Sequence, residues 1–367
     1  MKYYIIAGEA SGDMYGAMLI KAIRNHDPEA QFRFWGGDHM AEEAGTPVRH
    51  IRDLAIMGFV EVVKHLPTVL GNIQFCHQDM LQYQPDIMVG IDYPGFNLKA
   101  EAWAHAHGIR AIHYISPNLW AWKKGRINDM RKSLDRLCYI LPFEQEFFSR
   151  NHMPQATYVG HPLLDAIEHT HIQTIPSERP IIALLPGSRK QELHNSLPAM
   201  VALAKNHPEY HFIVAGMSLL GENIYRQHIL AAHNISVVYN QTYSLLASAY
   251  AAVVCSGTAT LETALFDVPQ VVCYRANPIS IAIARALVGN RIRYISLVNL
   301  IANHTVVTEL LQQDFSLTRL EEEFARITTD TANRQRIQQQ YGDIRHILGH
   351  GGASEATAKI ITETARQ

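Results

Sequence analysis

Cysteine is scarce: four in 367 residues, at Cys76, Cys138, Cys255 and Cys273, with no C-x-x-C pair and no short-range framework. That excludes a disulfide scaffold and a cysteine-rich zinc module, and reads as reduced core thiols of a cytosolic protein. Long apolar runs are lacking too. No uncharged stretch approaches the roughly 20 residues of a membrane-spanning helix, and Met1-Lys2 leads straight into Tyr3-Tyr4-Ile5-Ile6-Ala7, a strand and not a secretory h-region. Neither charge dominates. Lys and Arg number 32 against 34 Asp and Glu, a formal net charge of -2, so no global field gathers nucleic acid and any anion must be gripped locally. The histidines are many, 20, yet H-E-x-x-H is missing, and His105 and His107 stand two apart, a spacing that does not put them on one helix face. No metal site is expected. Asp-x-Asp is also absent, whereas transferases that hold a nucleotide through a divalent ion need clustered carboxylates. The expectation is chemistry without metal or cofactor.

What the chain does have is 47% hydrophobic residues, enough at this length for two cores. Short β-rich apolar runs alternate with amphipathic stretches, the pattern of βαβ units on a parallel sheet. In the first half, strands are predicted at Tyr3–Ala7, Phe32–Trp35, Asp86–Ile91, Arg110–Tyr114, Arg136–Ile140 and Thr157–Val159. The rhythm lapses between about His161 and Pro180, read as a linker. A second series follows at Ile181–Leu185, His211–Ala215, Ser236–Tyr239, Ala251–Cys255 and Gln270–Cys273. After Phe315 only helices are predicted, at Leu317–Arg326, Asn333–Leu348 and Ala353–Ala365. The expected architecture is α/β, two Rossmann-like domains facing a cleft, with boundaries at 1–165, 166–345 and 346–367.

In such sheets ligands sit beyond the carboxyl ends of the strands, and five loops there are unusual. Gly8-Glu9-Ala10-Ser11-Gly12-Asp13 opens the first helix with glycines and unpaired N–H groups, although a plain tight turn with Asp13 favouring the helix dipole would look the same. Asp92, followed by Tyr93-Pro94-Gly95, stands at a strand end, where it could take a proton from a sugar hydroxyl or simply cap the helix beginning near Asn97. Ser116–Trp122 places Trp120 and Trp122 near another strand end, for sugar contact or for core packing. Gly187-Ser188-Arg189 offers a small turn and a guanidinium suited to a diphosphate, with a structural arginine as the alternative. Ser256-Gly257-Thr258-Ala259-Thr260-Leu261-Glu262 has hydroxyls at a helix start, plus a carboxylate able to reach a ribose diol; it could also be only an N-cap.

In order and in wording, these loops resemble those of the lipid-A-disaccharide synthases, from Tyr3 to the segment Gly349–Ala356. The resemblance implies a glycosyltransferase of the B-type fold, with the C-terminal helices returning to the N-terminal domain. It implies an inverting transfer from UDP-2,3-diacylglucosamine to the 6-hydroxyl of 2,3-diacylglucosamine 1-phosphate, giving lipid A disaccharide 1-phosphate and UDP. Asp92 then corresponds to the general base, and Glu9 and Ser11 to catalytic or acceptor-side residues. Gly187, Ser188, Arg189, Ser256, Gly257, Thr258, Ala259, Thr260 and Glu262 correspond to the UDP site, with Glu309 near it. The chain departs from the family pattern at Ser296-Leu297-Val298-Asn299, where Val replaces Pro, and at Gln191, where a small residue is frequent.

The stretch from Ile56 to Leu70 is more apolar than a surface helix requires. In the family this region meets acyl chains or membrane, which singles out Met57, Phe59, Val60, Val63 and Leu66; a helix buried under the sheet would read alike. The resemblance further suggests a homodimer, and a cytoplasmic protein held peripherally at the inner membrane. Two other functions fit the same residues: a UDP-N-acetylglucosamine 2-epimerase or other UDP-sugar enzyme of this fold, and a nucleotide-binding scaffold without turnover.

Overall fold

Buried on both faces, the apolar runs of the sequence become two all-parallel sheets, the arrangement expected where helices cover both sides. The computed structural model describes residues 1–54, 66–119, 125–229, 232–275 and 293–367. Met57, Phe59, Val60 and Val63, the side chain of Leu66, and both Trp120 and Trp122 lie outside the described residues. The chain divides into two units, Met1–His169 with His350–Gln367, and Thr170–Gly349.

In the first unit the strands are β1 (Lys2–Ala7), β2 (Gln31–Gly36), β3 (Arg49–His50), β4 (Ile87–Ile91), β5 (Arg110–Tyr114), β6 (Arg136–Tyr139) and β7 (Ala156–Tyr158), in the order β3-β2-β1-β4-β5-β6-β7. Ile5, Ile6, Met88 and Val89 are fully buried, each contributing about 1.5–3 kcal/mol of hydrophobic stabilisation. One polar thread crosses this core. Trp35 Nε1 donates to Tyr4 Oη at 2.8 Å, Tyr4 Oη donates to Asp79 at 2.7 Å, and Arg33 Nε donates to the same carboxylate at 2.8 Å. The helix Ala353–Ala365 packs along Ala10–His26. It is fastened there by Asp165, whose carboxylate accepts from the N–H groups of Gly352 and, at 2.8 Å, Ser354.

The second unit holds β8 (Ile181–Leu185), β9 (His211–Gly216), β10 (Ile235–Tyr239), β11 (Ala249–Cys255), β12 (Gln270–Tyr274) and β13 (Thr308–Leu311), ordered β10-β9-β8-β11-β12-β13. All four cysteines are buried and free.

Three expectations need correction. The stretch read as linker begins with a helix, Pro162–His169, because Pro162 occupies its first turn and Leu163 and Ala166 are buried. Two strands were also not predicted, one within the first series and one after the second. β3 and β13 add polar or very short edges, and β13 is held by a parallel register with β12 that pairs Val272 with Glu309. Only the last predicted helix belongs to the first unit; Thr331–Leu348 belongs to the second.

Candidate functional site

The strand order of the first unit reverses between β1 and β4, which opens a crevice at their carboxyl ends, where doubly wound sheets bind ligands. The loop after β1 and the loop after β4 meet there. A Cβ on Gly8 would lie 2.4 Å from the ring of Tyr93, so only glycine allows the contact. Glu9 is the N-cap residue of Ala10–His26 and makes no side-chain capping bond; it and Ser11 are half-buried. Burial raises the Tyr93 phenol, and the charge of Glu9 adds to this. Asp13 stands in the first turn of Ala10–His26, as the dipole reading expects, and has a further task. It is 2% exposed, and its carboxylate accepts from the N–H groups of Gly37 (2.6 Å), His39 (3.1 Å) and Met40 (3.1 Å). It therefore also caps the neighbouring helix Asp38–Ala44.

Asp92 and Tyr93 follow β4 with φ of 47° and 50°. Two successive non-glycine residues in the left-handed region cost on the order of 1–3 kcal/mol each, and such strain persists only where neighbours over-determine it. Asn97 is the neighbour. Its fully buried amide donates to Asp92 O at 2.7 Å, Ile6 O at 3.2 Å and Ile91 O at 3.3 Å, tying the ends of β1 and β4 to the kink. The half-buried Asp92 is not the cap of the following helix, which begins at Pro94 with Tyr93 as N-cap. On β5, opposite Gly90 of β4, His113 Nδ1 lies 2.7 Å from Glu101 Oε1, and neither side chain has any exposure.

In the second unit the order reverses between β8 and β11, and both predicted nucleotide loops follow those strands. Ser188 and Arg189 are exposed. Gly187 packs on Glu192, whose carboxylate accepts from Ser188 N–H at 3.1 Å and lies 3.4 Å from the Arg189 guanidinium. After β11, Gly257 and Thr258 are exposed, while Ser256 and Ala259 are half-buried. Thr260 turns inward; its hydroxyl is fully buried, donates to Gly257 O at 2.8 Å and accepts from Leu297 N at 3.2 Å, bracing the loop. Desolvation pushes the Glu262 carboxyl up to about 7, with Tyr243 Oη donating to it at 3.4 Å as a partial offset.

Glu309 is likewise engaged internally. Its carboxylate accepts from Ile295 N (3.0 Å), Ser296 N (3.0 Å), Ser296 Oγ (2.6 Å) and Asn299 Nδ2 (2.8 Å). It pins the start of the helix Leu297–Ala302 to β13. Glu309→Gln turns one acceptor into a donor facing an N–H, which should cost about 1–3 kcal/mol; calorimetry should show a lower Tm with UDP binding retained.

Sequence reasoning missed Asn97, Glu101 and His113. The first two stand four apart on one helix, among Phe96, Ala100 and Ala104, all buried. Polar letters at the apolar period were the available signal.

A sequence model of the family described as lipid-A-disaccharide synthetase matches residues 3–363. The lipid-A-disaccharide synthase of Trichlorobacter lovleyi is 32% identical over 375 aligned residues, covering 99% of this chain and 97% of its own length. That of Syntrophus aciditrophicus is 35% identical, covering 96% and 95%. Among solved structures, the UDP-GlcNAc 2-epimerase of Neisseria meningitidis bound to UDP-GlcNAc aligns with a TM-score of 0.67 at 15% identity, covering 99% of both chains. The calicheamicin glycosyltransferase CalG4 aligns at 0.61 and 15% identity, covering 100% and 98%. At such identities the structural likeness shows the fold alone, two parallel-sheet α/β domains of the B-type glycosyltransferase class.

Proposed function

The chain belongs to the lipid-A-disaccharide synthetase family and is a hexosyltransferase of lipid A biosynthesis, and on that premise we propose that Asp92 is the base that activates its acceptor. The observation that carries this reading is a half-buried carboxylate in a left-handed kink at the reversal point of the first sheet, held by Asn97. The donor is UDP-2,3-diacylglucosamine and the acceptor 2,3-diacylglucosamine 1-phosphate. Asp92 removes the proton of the acceptor 6-hydroxyl as that oxygen bonds to C1 of the donor sugar. The C1–O bond to the diphosphate breaks on the opposite face, its electron pair leaving on UDP, so the anomeric centre inverts. Glu9 and Ser11 border the acceptor side.

The leaving diphosphate is stabilised by Arg189, carried by the turn Gly187–Ser188, and by N–H groups at the helix start Gly257–Thr258, without a metal. Glu262 meets the ribose. Arg189→Ala removes a charge-assisted donor pair, and kcat/KM for the donor should fall about 10- to 100-fold while Tm is kept. A fall of less than threefold would remove Arg189 from the site.

Peripheral contact with the cytoplasmic face of the inner membrane belongs to the same reading. Among the described residues no helix is long and apolar enough to cross a membrane. Leu70, the last residue of the apolar segment, and Leu81, both on the helix Leu66–Tyr83, are 53% and 55% exposed. A homodimer is also part of the proposal, on the family resemblance alone.

The deciding experiment is mass spectrometry of the purified protein with both diacylated substrates and EDTA. Disaccharide 1-phosphate plus UDP establishes the substrates and the independence from metal. Absence of product from folded, UDP-binding protein would move the substrate to another UDP-sugar.

A further inference from the structure

A carboxylate and an imidazole, Glu101 and His113, sit fully buried beside β4, with His113 opposite Gly90, two positions before Asp92, and the packing is shaped around them. A Cβ on Gly90 would lie 2.1 Å from Glu101 Oε1, so β4 carries glycine opposite His113, its partner in the register of β4 with β5. The ladder itself needs neither group, since Asp92 N–H is already bonded to Tyr114 O at 2.8 Å. Stability does not explain the pair either. Burying such a couple is often no better than a hydrophobic replacement, because desolvation consumes the attraction. The pair is also incompletely satisfied: Glu101 Oε2 has no hydrogen-bond partner among the described residues.

The charges around the pair give it a direction. Burial draws His113 toward its neutral form, but the charge and hydrogen bond of Glu101, and then the charge of Asp92, outweigh it and raise the imidazole. Burial raises Glu101, against which the His113 charge and hydrogen bond act. Titratable groups on the neighbouring elements have partners of their own. The adjacent Tyr114 is influenced by Asp165 and Tyr15. His77, from the helix Leu66–Tyr83, stacks on Trp103. The packed helix Arg126–Ser133 buries Ile127 and Met130, and Glu9 acts on Tyr93 beside the base.

We infer that Glu101 and His113 form the positioning pair of Asp92: Glu101 holds a charged imidazole in place, and that imidazole keeps Asp92 ionised until the acceptor hydroxyl is bound. This rests on the reading of Asp92 as the base. Neither member touches substrate. The proton that Asp92 takes from the acceptor stays on Asp92 until solvent removes it, and the pair's own proton does not move.

Glu101→Gln keeps the shape and the acceptor oxygen but removes the negative charge. Burial then neutralises His113, Asp92 loses its cationic neighbour, and its pKa rises. The acid limb of the log kcat/KM profile should therefore move to higher pH by about one unit, with little loss on the alkaline side. His113→Gln should move the limb the same way, and decides the matter if Glu101→Gln does not fold. A purely structural pair would lower Tm and kcat at every pH without moving the limb, and that result would overturn the inference. Asp92→Asn run beside them separates the two claims. If it turns over like the wild type, the base reading falls and the pair's role with it. If it is inactive while the limb stays put in both other variants, only the pair's role falls.

Discussion

Asp92→Asn should lower kcat by about a hundred- to ten-thousand-fold, the usual contribution of a positioned general base, while leaving UDP affinity and Tm unchanged. The substitution is unusually clean for a structural reason. Asp92 has φ of 47°, and asparagine is among the few residues that share aspartate's tolerance of the left-handed region. The backbone carbonyl that Asn97 holds is untouched. Single-turnover kinetics with both lipid substrates, alongside titration calorimetry with UDP, would check it. A kcat within a few-fold of wild type would end the assignment, and lost UDP binding would mean the variant had disturbed more than the base.

Asn97→Leu is the second large effect, and here activity and stability should fall together. The side chain is near in volume but leaves Ile6, Ile91 and Asp92 without their buried donor. With two N–H groups lost, the cost is about 2–4 kcal/mol. For a unit of this size that corresponds to a Tm lower by about 5–15 °C. The kink should also relax, so that kcat falls at least tenfold even well below the melting range. Full activity at 20 °C in a destabilised variant would show that Asn97 supports the sheet but does not position Asp92.

Much of the fold was legible because the two sheets are parallel and covered on both faces. Ile87–Ile91 and Ile181–Leu185 are uninterrupted buried runs, and such runs stand out against the amphipathic helices between them. The strands missed are those in which burial leaves no such mark: Arg49–His50 is two polar residues long, and Thr308–Leu311 is an edge. The candidate loops were legible because glycine, proline and arginine punctuate the strand ends. Their inward-facing members were not. Asp13, Thr260 and Glu309 have the letters of ligand-binding residues, yet each bonds to its own chain. Only coordinates reveal which donors a carboxylate meets. The same applies to Glu101 and His113, twelve positions apart and meaningless as a pair until the helix Pro94–Ala106 lies on β5.

The helix Ala353–Ala365 carries a consequence for the order of biosynthesis. Its seat on Ala10–His26, fastened through Asp165, is translated early, but the helix that fills it follows all of Thr170–Gly349. At about 5–20 residues per second, the seat waits on the order of ten to forty seconds with Tyr15, Leu19 and Ile23, among the residues the finished unit buries, on an incomplete core. The second unit, contiguous in sequence, can close before the first. The nascent chain therefore matures from its middle outward, and the half bearing Asp92 is finished last.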